Sequence, residues 1–284
     1  MSCTKGQGEP VNHSPELIGE NSISSEFPEF ATSFLPDGNT VFFNRTNADR
    51  SIIQIYTSSK VDEAWQPAEA LPFSSDEYWD VDPFVNADGT RLYFNSNRPV
   101  EGDSTADFDT WYVERLEDGW SEPINAGAPL NGPEDEIFVS ITRDEHVYFS
   151  ISRDGVRRIY RSEFTEEGHQ SPQQIEITVA DSIGIGNPLI DPDERFLLFT
   201  SRMEGGYGDA DIFIADHLGD GRFGNVRNAG SAVNSAFSDF APGLSPDGKT
   251  LYYASERPGV VGPIEEGRPP GDIYSIPLEA LPFE

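Results

Sequence analysis

The residues of this sequence that could do chemistry are acids that recur at one position of a long repeat. Five aspartates stand in turn-like segments, and the residue eight places before each of them is acidic in every copy but one. The acids are Glu29, Asp80, Glu136 and Asp239, and the fourth copy has Ile185 at this position. Asp82 adds a carboxylate two residues after Asp80. Hydrolysis of a glycosidic bond requires two carboxyl groups that flank it, so this set could supply an acid and a base.

The same carboxylates could instead hold a hard cation. Calcium takes about six to eight oxygen ligands, and carboxylates are the usual donors. The candidates for a divalent cation such as Ca²⁺ in a central funnel are Glu29, Asp80, Asp82 and Asp239.

Arginines recur nine or ten places after the turn aspartates, at Arg98, Arg153, Arg202 and Arg257. The acid and the arginine lie at the open ends of one predicted hairpin, so they should share one rim. A lone charge near a crowded centre is costly, and the arginine can neutralise it. The predicted pairs are Asp80–Arg98, Glu136–Arg153 and Asp239–Arg257.

Two copies of the repeat break this rule. Glu29 has no arginine at the matching offset, since Arg45 comes too early and Arg50 too late. Arg202 has Ile185 where the acid should stand. Local inconsistencies of this kind favour functional sites, so Glu29 and Arg202 are predicted to be unpaired in the funnel. The alternative is that both reach other partners across the ring.

Aromatic residues accompany the acids in the stretch "DEYWDVD". Asp80 and Asp82 are two apart, which places them on one face of a regular strand. Rings that stack on sugar faces, beside carboxylates that accept hydroxyl hydrogens, suit a polyhydroxylated ligand. The predicted ligand-binding residues are Tyr78, Trp79, Asn187 and Arg202. The alternative for Trp79 is packing between neighbouring repeats.

The turn aspartates define the repeat that must position these side chains. They are Asp37, Asp88, Asp144, Asp193 and Asp247, at spacings of 51, 56, 49 and 54 residues. One apolar strand precedes each turn, a second follows it, and a third with a central aromatic and then a fourth segment come later. Glycine follows the aspartate in three copies, but the third and fourth have glutamate, so their turns are predicted to differ in type.

The repeat predicts an all-β, five-bladed β-propeller of four-stranded antiparallel blades, because such units bury their faces only against neighbours. The expected blades are 26–75, 76–132, 133–180, 181–235 and 236–284, after a tether at 1–8. The last copy lacks its fourth segment, and "GEPVNHSPELIG" near the N-terminus matches "SEPINAGAPLNG" of the second copy. Residues 9–19 should therefore complete the last blade and close a single domain, 9–284, which removes free sheet edges.

These signatures resemble the TolB-type PD40 repeats, also called WD40-like propeller repeats. The matching residues are Pro-Asp-Gly at 36–38 and 246–248, Ser-x-Arg at 96–98 and 255–257, Ser201-Arg202, and Asp-Ile-aromatic at 211–213 and 272–274. The resemblance covers nearly the whole chain and implies the fold. It implies less about function, because the family includes periplasmic scaffolds, cell-wall-associated proteins and propeller domains attached to peptidases.

Charge and termini limit the partners and the location. The chain has 50 acidic residues against 19 Lys and Arg, a net charge of −31, which repels nucleic acid and anionic lipid. No apolar run reaches the roughly 20 residues that span a bilayer. The start, "MSCTKGQGEP", is similar to a bacterial lipoprotein after its signal peptide, with Cys3 as the lipidated residue; the alternative is an incidental cysteine. We expect a monomer in the periplasm or anchored at the outer membrane.

Motifs for nucleophilic catalysis, such as G-x-S-x-G and H-E-x-x-H, are absent from the sequence. Together with this absence, the resemblance to PD40 repeats implies a non-catalytic binding or scaffold propeller of the bacterial envelope that recognises a glycan or an envelope protein at its central funnel. The alternative is a glycan-active enzyme, a hydrolase or a lyase, that uses the funnel carboxylates Glu29, Asp80, Asp82, Glu136 and Asp239.

Overall fold

The computed structural model describes residues 13–101, 107–258 and 271–283. The strands in chain order are β1 (Glu16–Leu17), β2 (Glu29–Phe34), β3 (Thr40–Thr46), β4 (Ile53–Val61), β5 (Ala64–Trp65), β6 (Glu69–Ala70), β7 (Asp80–Val85), β8 (Arg91–Ser96), β9 (Asp109–Leu116), β10 (Gly119–Trp120), β11 (Ile124–Asn125), β12 (Glu136–Ile141), β13 (Val147–Arg153), β14 (Val156–Ser162), β15 (Phe164–Thr165), β16 (Gly168–His169), β17 (Gln173–Gln174), β18 (Glu176–Ile177), β19 (Ile185–Ile190), β20 (Phe196–Ser201), β21 (Asp211–Gly219), β22 (Arg222–Asn228), β23 (Asp239–Leu244), β24 (Thr250–Ser255) and β25 (Asp272–Pro277). A 3₁₀ helix covers Leu278–Ala280. Within these residues no helix has the length and apolar character needed to cross a membrane. The expected tether, 1–8, and Cys3 lie outside the described residues.

The strands form five antiparallel blades. From the inside outwards their orders are β2-β3-β4-β6, β7-β8-β9-β11, β12-β13-β14-β17, β19-β20-β21-β22 and β23-β24-β25-β1. The innermost strands contact one another in a closed ring, from β2 through β7, β12, β19 and β23 back to β2. Leu17 of β1 pairs with Tyr274 of β25, so the N-terminal strand completes the last blade. The prediction of a five-bladed propeller closed in this way is confirmed.

Apolar layers between neighbouring blades hold the ring together. The layer between the fourth and fifth blades contains Leu198 and Ile214 from one side and Leu251 and Tyr253 from the other, all at most 1% exposed. Burial of each such side chain contributes about 1.5–3 kcal/mol to the stability of the folded state. The blades therefore depend on their neighbours for their cores, as a ring of repeats requires.

The turns between the first and second strands share one geometry, which the sequence did not lead us to expect. The residue after the turn aspartate has a positive φ in all five, with values of 70°, 72°, 63°, 53° and 67° at Gly38, Gly89, Glu145, Glu194 and Gly248. Its N–H donates to the carbonyl three residues earlier in each turn. In the fourth blade, Tyr148 and Arg161 donate to the Glu194 carboxylate at 2.5 and 3.1 Å and fix the position of this side chain.

Each innermost strand is interrupted by a bulge six residues before its turn aspartate. The bulge residues are Ala31, Asp82, Phe138, Asn187 and Ala241, with φ between 49° and 59°. The pairing register shifts at each of these places. A residue in this conformation leaves the two-residue alternation of a strand, so its side chain points in a direction that a regular strand would not allow. Three of the five bulge residues form a small buried cluster with Ala254.

Candidate ligand-binding site

Glu29, which the repeat offsets leave without a partner, is held by Arg45. Arg45 Nε donates to Glu29 Oε1 at 2.7 Å, and Glu29 is fully buried. The two residues are directly opposed across β2 and β3, so this arginine reaches the acid without the chain folding back. The Ser25 N–H donates to the carboxylate as well, at 3.1 Å. Burial raises the pKa of Glu29 to about 7, although the bonds from Ser25 and Arg45 oppose the rise. The prediction of an unpaired Glu29 is therefore wrong.

Two of the three predicted pairs are present. Arg98 Nη2 donates to both carboxylate oxygens of Asp80, at 2.7 and 2.8 Å. Arg257 Nη2 donates to Asp239 Oδ1 at 2.9 Å.

The serine of each Ser-x-Arg motif positions its arginine. Ser96 Oγ accepts hydrogen bonds from the N–H and the Nε of Arg98, and Ser255 Oγ does the same for Arg257. The serine therefore turns each arginine back towards the buried acid.

The third predicted pair is wrong, because Arg153 bonds Glu134 instead of Glu136. Arg153 Nε lies 2.8 Å from Glu134 Oε1, and this arginine is 52% exposed. Strand β13 continues through Arg153, which pairs with Val156 across a two-residue Asp-Gly turn. The tight hairpin keeps the arginine in the ladder, so it cannot fold back over the acid.

Glu136 is consequently a buried acid with no arginine partner within 4.0 Å among the described residues. Ile151 stands opposite it in the ladder, and the Gly132 N–H donates to its carboxylate at 3.2 Å. Burial raises the pKa of Glu136 to about 8, and the negative charges of Asp109, Asp107 and Glu134 add to the effect. Glu136 is therefore protonated near neutral pH.

Arg202 also has a partner, so the prediction that it is unpaired is wrong. Its Nη2 lies 2.9 Å from Asp209 Oδ2, and the two side chains are 72% and 60% exposed. Arg202 follows Ser201 directly, one position earlier than the arginine of a Ser-x-Arg motif. A shift of one residue turns a side chain to the other face, which directs this arginine to the solvent.

Asp80 and Asp82 do not share a face, contrary to the alternation rule, because Asp82 is the bulge residue of its strand. Asp80 is held by Arg98, whereas the Asp82 carboxylate accepts the N–H of Phe138 in the next blade and lies near Arg157. Burial raises the pKa of Asp82 to about 7, while Arg157 and the Phe138 N–H oppose the rise. Asp82 thus connects the second and third blades close to the centre of the ring.

A pocket with a volume of about 550 Å³ opens at the end of the ring where these acids lie, between the third, fourth and fifth blades. Its lining consists of Ser152, Gly155, Arg157, Gly184, Ile185, Gly186, Asn187, Thr200, Ser201, Arg202, Ala210, Ser238 and Phe240. None of these described residues is acidic, although the chain carries a charge of −31. Of the predicted ligand-binding residues, Asn187 and Arg202 line this pocket.

Tyr78 and Trp79, the other two predicted ligand-binding residues, do not line the pocket. Trp79 is 39% exposed, and its Nε1 donates to the Ser51 carbonyl at 2.9 Å, so it ties the first blade to the second. Its ring centroid is 6.3 Å from that of Phe108. The Tyr78 ring lies over Arg98, with the guanidinium carbon 6.0 Å from its centroid. The contact with Ser51 favours packing between repeats for Trp79, and Tyr78 packs on an arginine of its own blade.

The sequence did contain a signal for Arg157, which we missed. The third strand of the third blade begins "VRRIY", where three other blades have Asp-Ile-aromatic or Asp-Thr-Trp. Arg158 takes the aspartate position and donates to the Ile183 carbonyl at 2.8 Å, which fixes the loop at the pocket wall. Arg157, one residue earlier, projects into the pocket.

The four carboxylates considered for a cation are not gathered at one point. In the described ranges, no group of three or more His, Cys, Asp or Glu residues could hold a metal ion. An arginine forms an ion pair with each of Glu29, Asp80 and Asp239, and Arg157 lies near Asp82.

No family model matches this chain, and no curated protein matches it in sequence. Among solved structures, it is similar to TolB from Acinetobacter baumannii, with a TM-score of 0.54 and 16% identity over 89% of this chain and 55% of that one. It is also similar to the catalytic domain of the Coprinopsis cinerea GH62 α-L-arabinofuranosidase, with a TM-score of 0.53 and 14% identity over 94% and 96% of the two chains. For a GH62 hydrolase in complex with xylotriose, the TM-score is 0.56 and the identity is 12% over 94% of this chain and 97% of that one. The chain thus spans about half of the Acinetobacter TolB chain, and these likenesses show the fold alone.

Proposed function

We propose that this chain is a binding or scaffold propeller of the bacterial cell envelope, built from TolB-type PD40 repeats, that recognises a glycan without cleaving it. The pocket of the third, fourth and fifth blades is the proposed site. The observation that carries the proposal is the absence of any acidic side chain among the described residues of its lining. Glycosidic hydrolysis by two carboxyl groups has no acid and no base there.

The pocket is suited to sugar binding in size and chemistry. Its volume of about 550 Å³ lies in the range of small-molecule sites, about 300–1,000 Å³. Asn187 and the exposed Ser152 present an amide and a hydroxyl group, and the half-buried ring of Phe240 provides a face for stacking. The envelope location rests on the lipoprotein-like Cys3 and on the repeat resemblance.

The arginine pairs further favour binding over catalysis. Glu29, Asp80 and Asp239 are buried and each bonds an arginine at 2.7–2.9 Å. All three carboxylates are fully buried and none lines the pocket, so none is in place to act on a ligand held there.

A glycan-active enzyme is the second candidate, and one observation favours it. Burial raises the pKa of Asp82 to about 7 and that of Glu136 to about 8. A carboxyl group that keeps its proton near neutral pH can act as a general acid. The likeness to GH62 hydrolases, which extends to the fold, is compatible with this candidate.

The two candidates are separated by measuring binding and product release on one panel of plant, algal and cell-wall polysaccharides, with and without Ca²⁺. The wild type is compared with Asp82→Asn and Glu136→Gln. We expect retention on at least one glycan and no release of sugar. Release that disappears in either variant would contradict the binding proposal and support the enzyme. A protein that is retained by no glycan would contradict both.

A further inference from the structure

The charged residues that line the pocket are positive, whereas the chain as a whole is acidic. Among the described lining residues are two arginines and no acid, in a protein with a net charge of −31. Arg202 is engaged by Asp209 at 2.9 Å. The guanidinium of Arg157 has no hydrogen bond or ion pair within 4.0 Å in the part of the chain that the structure describes. Arg157 is therefore the cation that is available to a ligand.

The backbone of the fourth blade is shaped to accept the Arg157 side chain. A Cβ atom at Gly186 would lie 2.5 Å from Arg157 Cδ, so the aliphatic part of the arginine lies across this glycine. Gly186 precedes Asn187, the bulge residue of β19, on the innermost strand. The arginine is thus placed over the start of the innermost strand while its guanidinium stays exposed to the pocket.

Asp82 is the acid that acts on Arg157, and it does not satisfy the guanidinium. Asp82 is buried, is not among the lining residues, and accepts the N–H of Phe138. Arg157 lowers its pKa, but burial has the larger effect and the pKa is about 7. Burial thus disfavours the charged form of Asp82, and the Arg157 guanidinium stays positively charged and makes no ion pair with Asp82 within 4.0 Å.

We propose that this pocket binds a hexuronate residue of an acidic polysaccharide, with the ligand carboxylate on Arg157. This inference rests on the proposed glycan-binding function and names its ligand class. Guanidinium groups bind carboxylates through two parallel hydrogen bonds, which gives both affinity and orientation. Asn187 and the exposed Ser152 would bond the ring hydroxyls, and Phe240 would support the sugar face.

A carboxylate at the end of a peptide has the same charge, but the rest of the lining favours a sugar. Thr200 Oγ1 is buried without a hydrogen-bond partner among the described residues, and Ser152 adds an exposed hydroxyl group beside the Asn187 amide. A uronate carries hydroxyls on neighbouring ring carbons that match such a lining. The described lining has only three apolar side chains that would select a peptide side chain: Ile185, Ala210 and Phe240.

The test is calorimetric titration with oligosaccharides of galacturonate, glucuronate and mannuronate, each compared with its methyl ester. Esterification removes the charge and keeps the hydroxyls. We expect at least one acid oligomer to bind with a Kd about tenfold lower than its ester. Arg157→Gln should remove that difference, Arg157→Lys should restore part of it, and added salt should weaken it. Arg153→Gln, at an exposed arginine outside the pocket, is the matched control and should change nothing.

Each other outcome contradicts a defined statement. Equal affinity for acid and ester, or a difference that survives Arg157→Gln, would overturn the hexuronate inference while leaving glycan binding intact. Binding of a peptide with a free C-terminal carboxylate, dependent on Arg157 and without any sugar binding, would overturn both the inference and the glycan function. Absence of binding to all oligomers and to neutral glycans would also overturn both. Thermal unfolding of Arg157→Gln at the wild-type temperature would show that the variant is folded.

Discussion

Arg45 and Glu29 are directly opposed across β2 and β3, and Arg45 Nε donates to Glu29 Oε1 over 2.7 Å. In the second blade the opposed residue is Ser96, and the arginine comes from two positions further along to reach Asp80. The two blades thus neutralise acids at equivalent positions of the repeat with arginines at different positions. Four of the five innermost strands begin with a buried acid, and in the three blades where an arginine neutralises it the position of that arginine varies.

The first prediction compares two arginines of the repeat that differ in burial. Arg98→Gln leaves Asp80 buried and without its cation, so it should lower the free energy of unfolding by about 3–5 kcal/mol. Arg202→Gln removes a pair whose side chains are 72% and 60% exposed, so it should cost less than about 1 kcal/mol. Urea denaturation followed by tryptophan fluorescence measures both. Similar losses for the two variants would show that the Asp80–Arg98 pair contributes no more than a surface pair.

The fold could be predicted from the sequence because every blade carries the same turn and strand signals. The turn aspartates gave the number of blades, and the N-terminal match gave the closing strand, which pairs with β25 through Leu17 and Tyr274. The turns themselves were mispredicted at Glu145 and Glu194. Both residues adopt the positive φ that glycine adopts in the other copies, and Tyr148 and Arg161 fix the position of the Glu194 side chain.

The site was harder to predict, because side-chain direction depends on features that offsets along a sequence do not report. Asp82 leaves the face of Asp80 through a bulge in the strand. Arg153 misses Glu136 because an Asp-Gly turn follows it at once and keeps it in the ladder. Arg157 was overlooked because attention went to the acids, although it departs from the usual start of the third strand.

The second prediction concerns the close packing of the innermost strands. A Cβ atom at Gly243 of β23 would lie 2.4 Å from the Thr32 carbonyl oxygen of β2, a backbone atom that cannot move freely. Gly243→Ala should therefore cost about 1–3 kcal/mol of stability through overpacking. Gly271→Ala is the control, because its Cβ would meet the nearest atom at 3.6 Å, an ordinary contact. Equal thermal unfolding temperatures for the two variants would contradict the prediction.

The third prediction uses Gly186 to move Arg157 without changing its charge. A methyl group at this position would meet the flexible Arg157 side chain 2.5 Å away, so the arginine should shift while the fold is retained. We expect Gly186→Ala to reduce the preference for acid over esterified oligosaccharides about tenfold, measured by calorimetry. Gly271→Ala is the control, because Gly271 does not line the pocket and its added Cβ would meet the nearest atom at 3.6 Å, so this variant should keep the preference. Retention of the full preference in Gly186→Ala would place the anion elsewhere.

The last prediction concerns pH and the buried acid that lacks an arginine. Burial raises the pKa of Glu136 from 4.5 to about 8, so between these values the folded protein binds a proton that the unfolded chain has released. Stability therefore falls as the pH rises through this interval, and it is highest below the pKa of the unfolded state.

The variant Glu136→Gln tests this, because it is neutral at every pH and keeps an oxygen for the Gly132 N–H. Between about pH 5 and pH 9 its free energy of unfolding should fall by about 2–4 kcal/mol less than that of the wild type. Glu29 and Asp82 shift in the same direction but are present in both proteins, so their contributions cancel in the difference. Glu69→Gln, an exposed glutamate on β6, is the control and should follow the wild-type curve. Urea denaturation across this pH range measures all three, and parallel curves for the wild type and Glu136→Gln would mean that Glu136 is ionised in the folded protein at neutral pH.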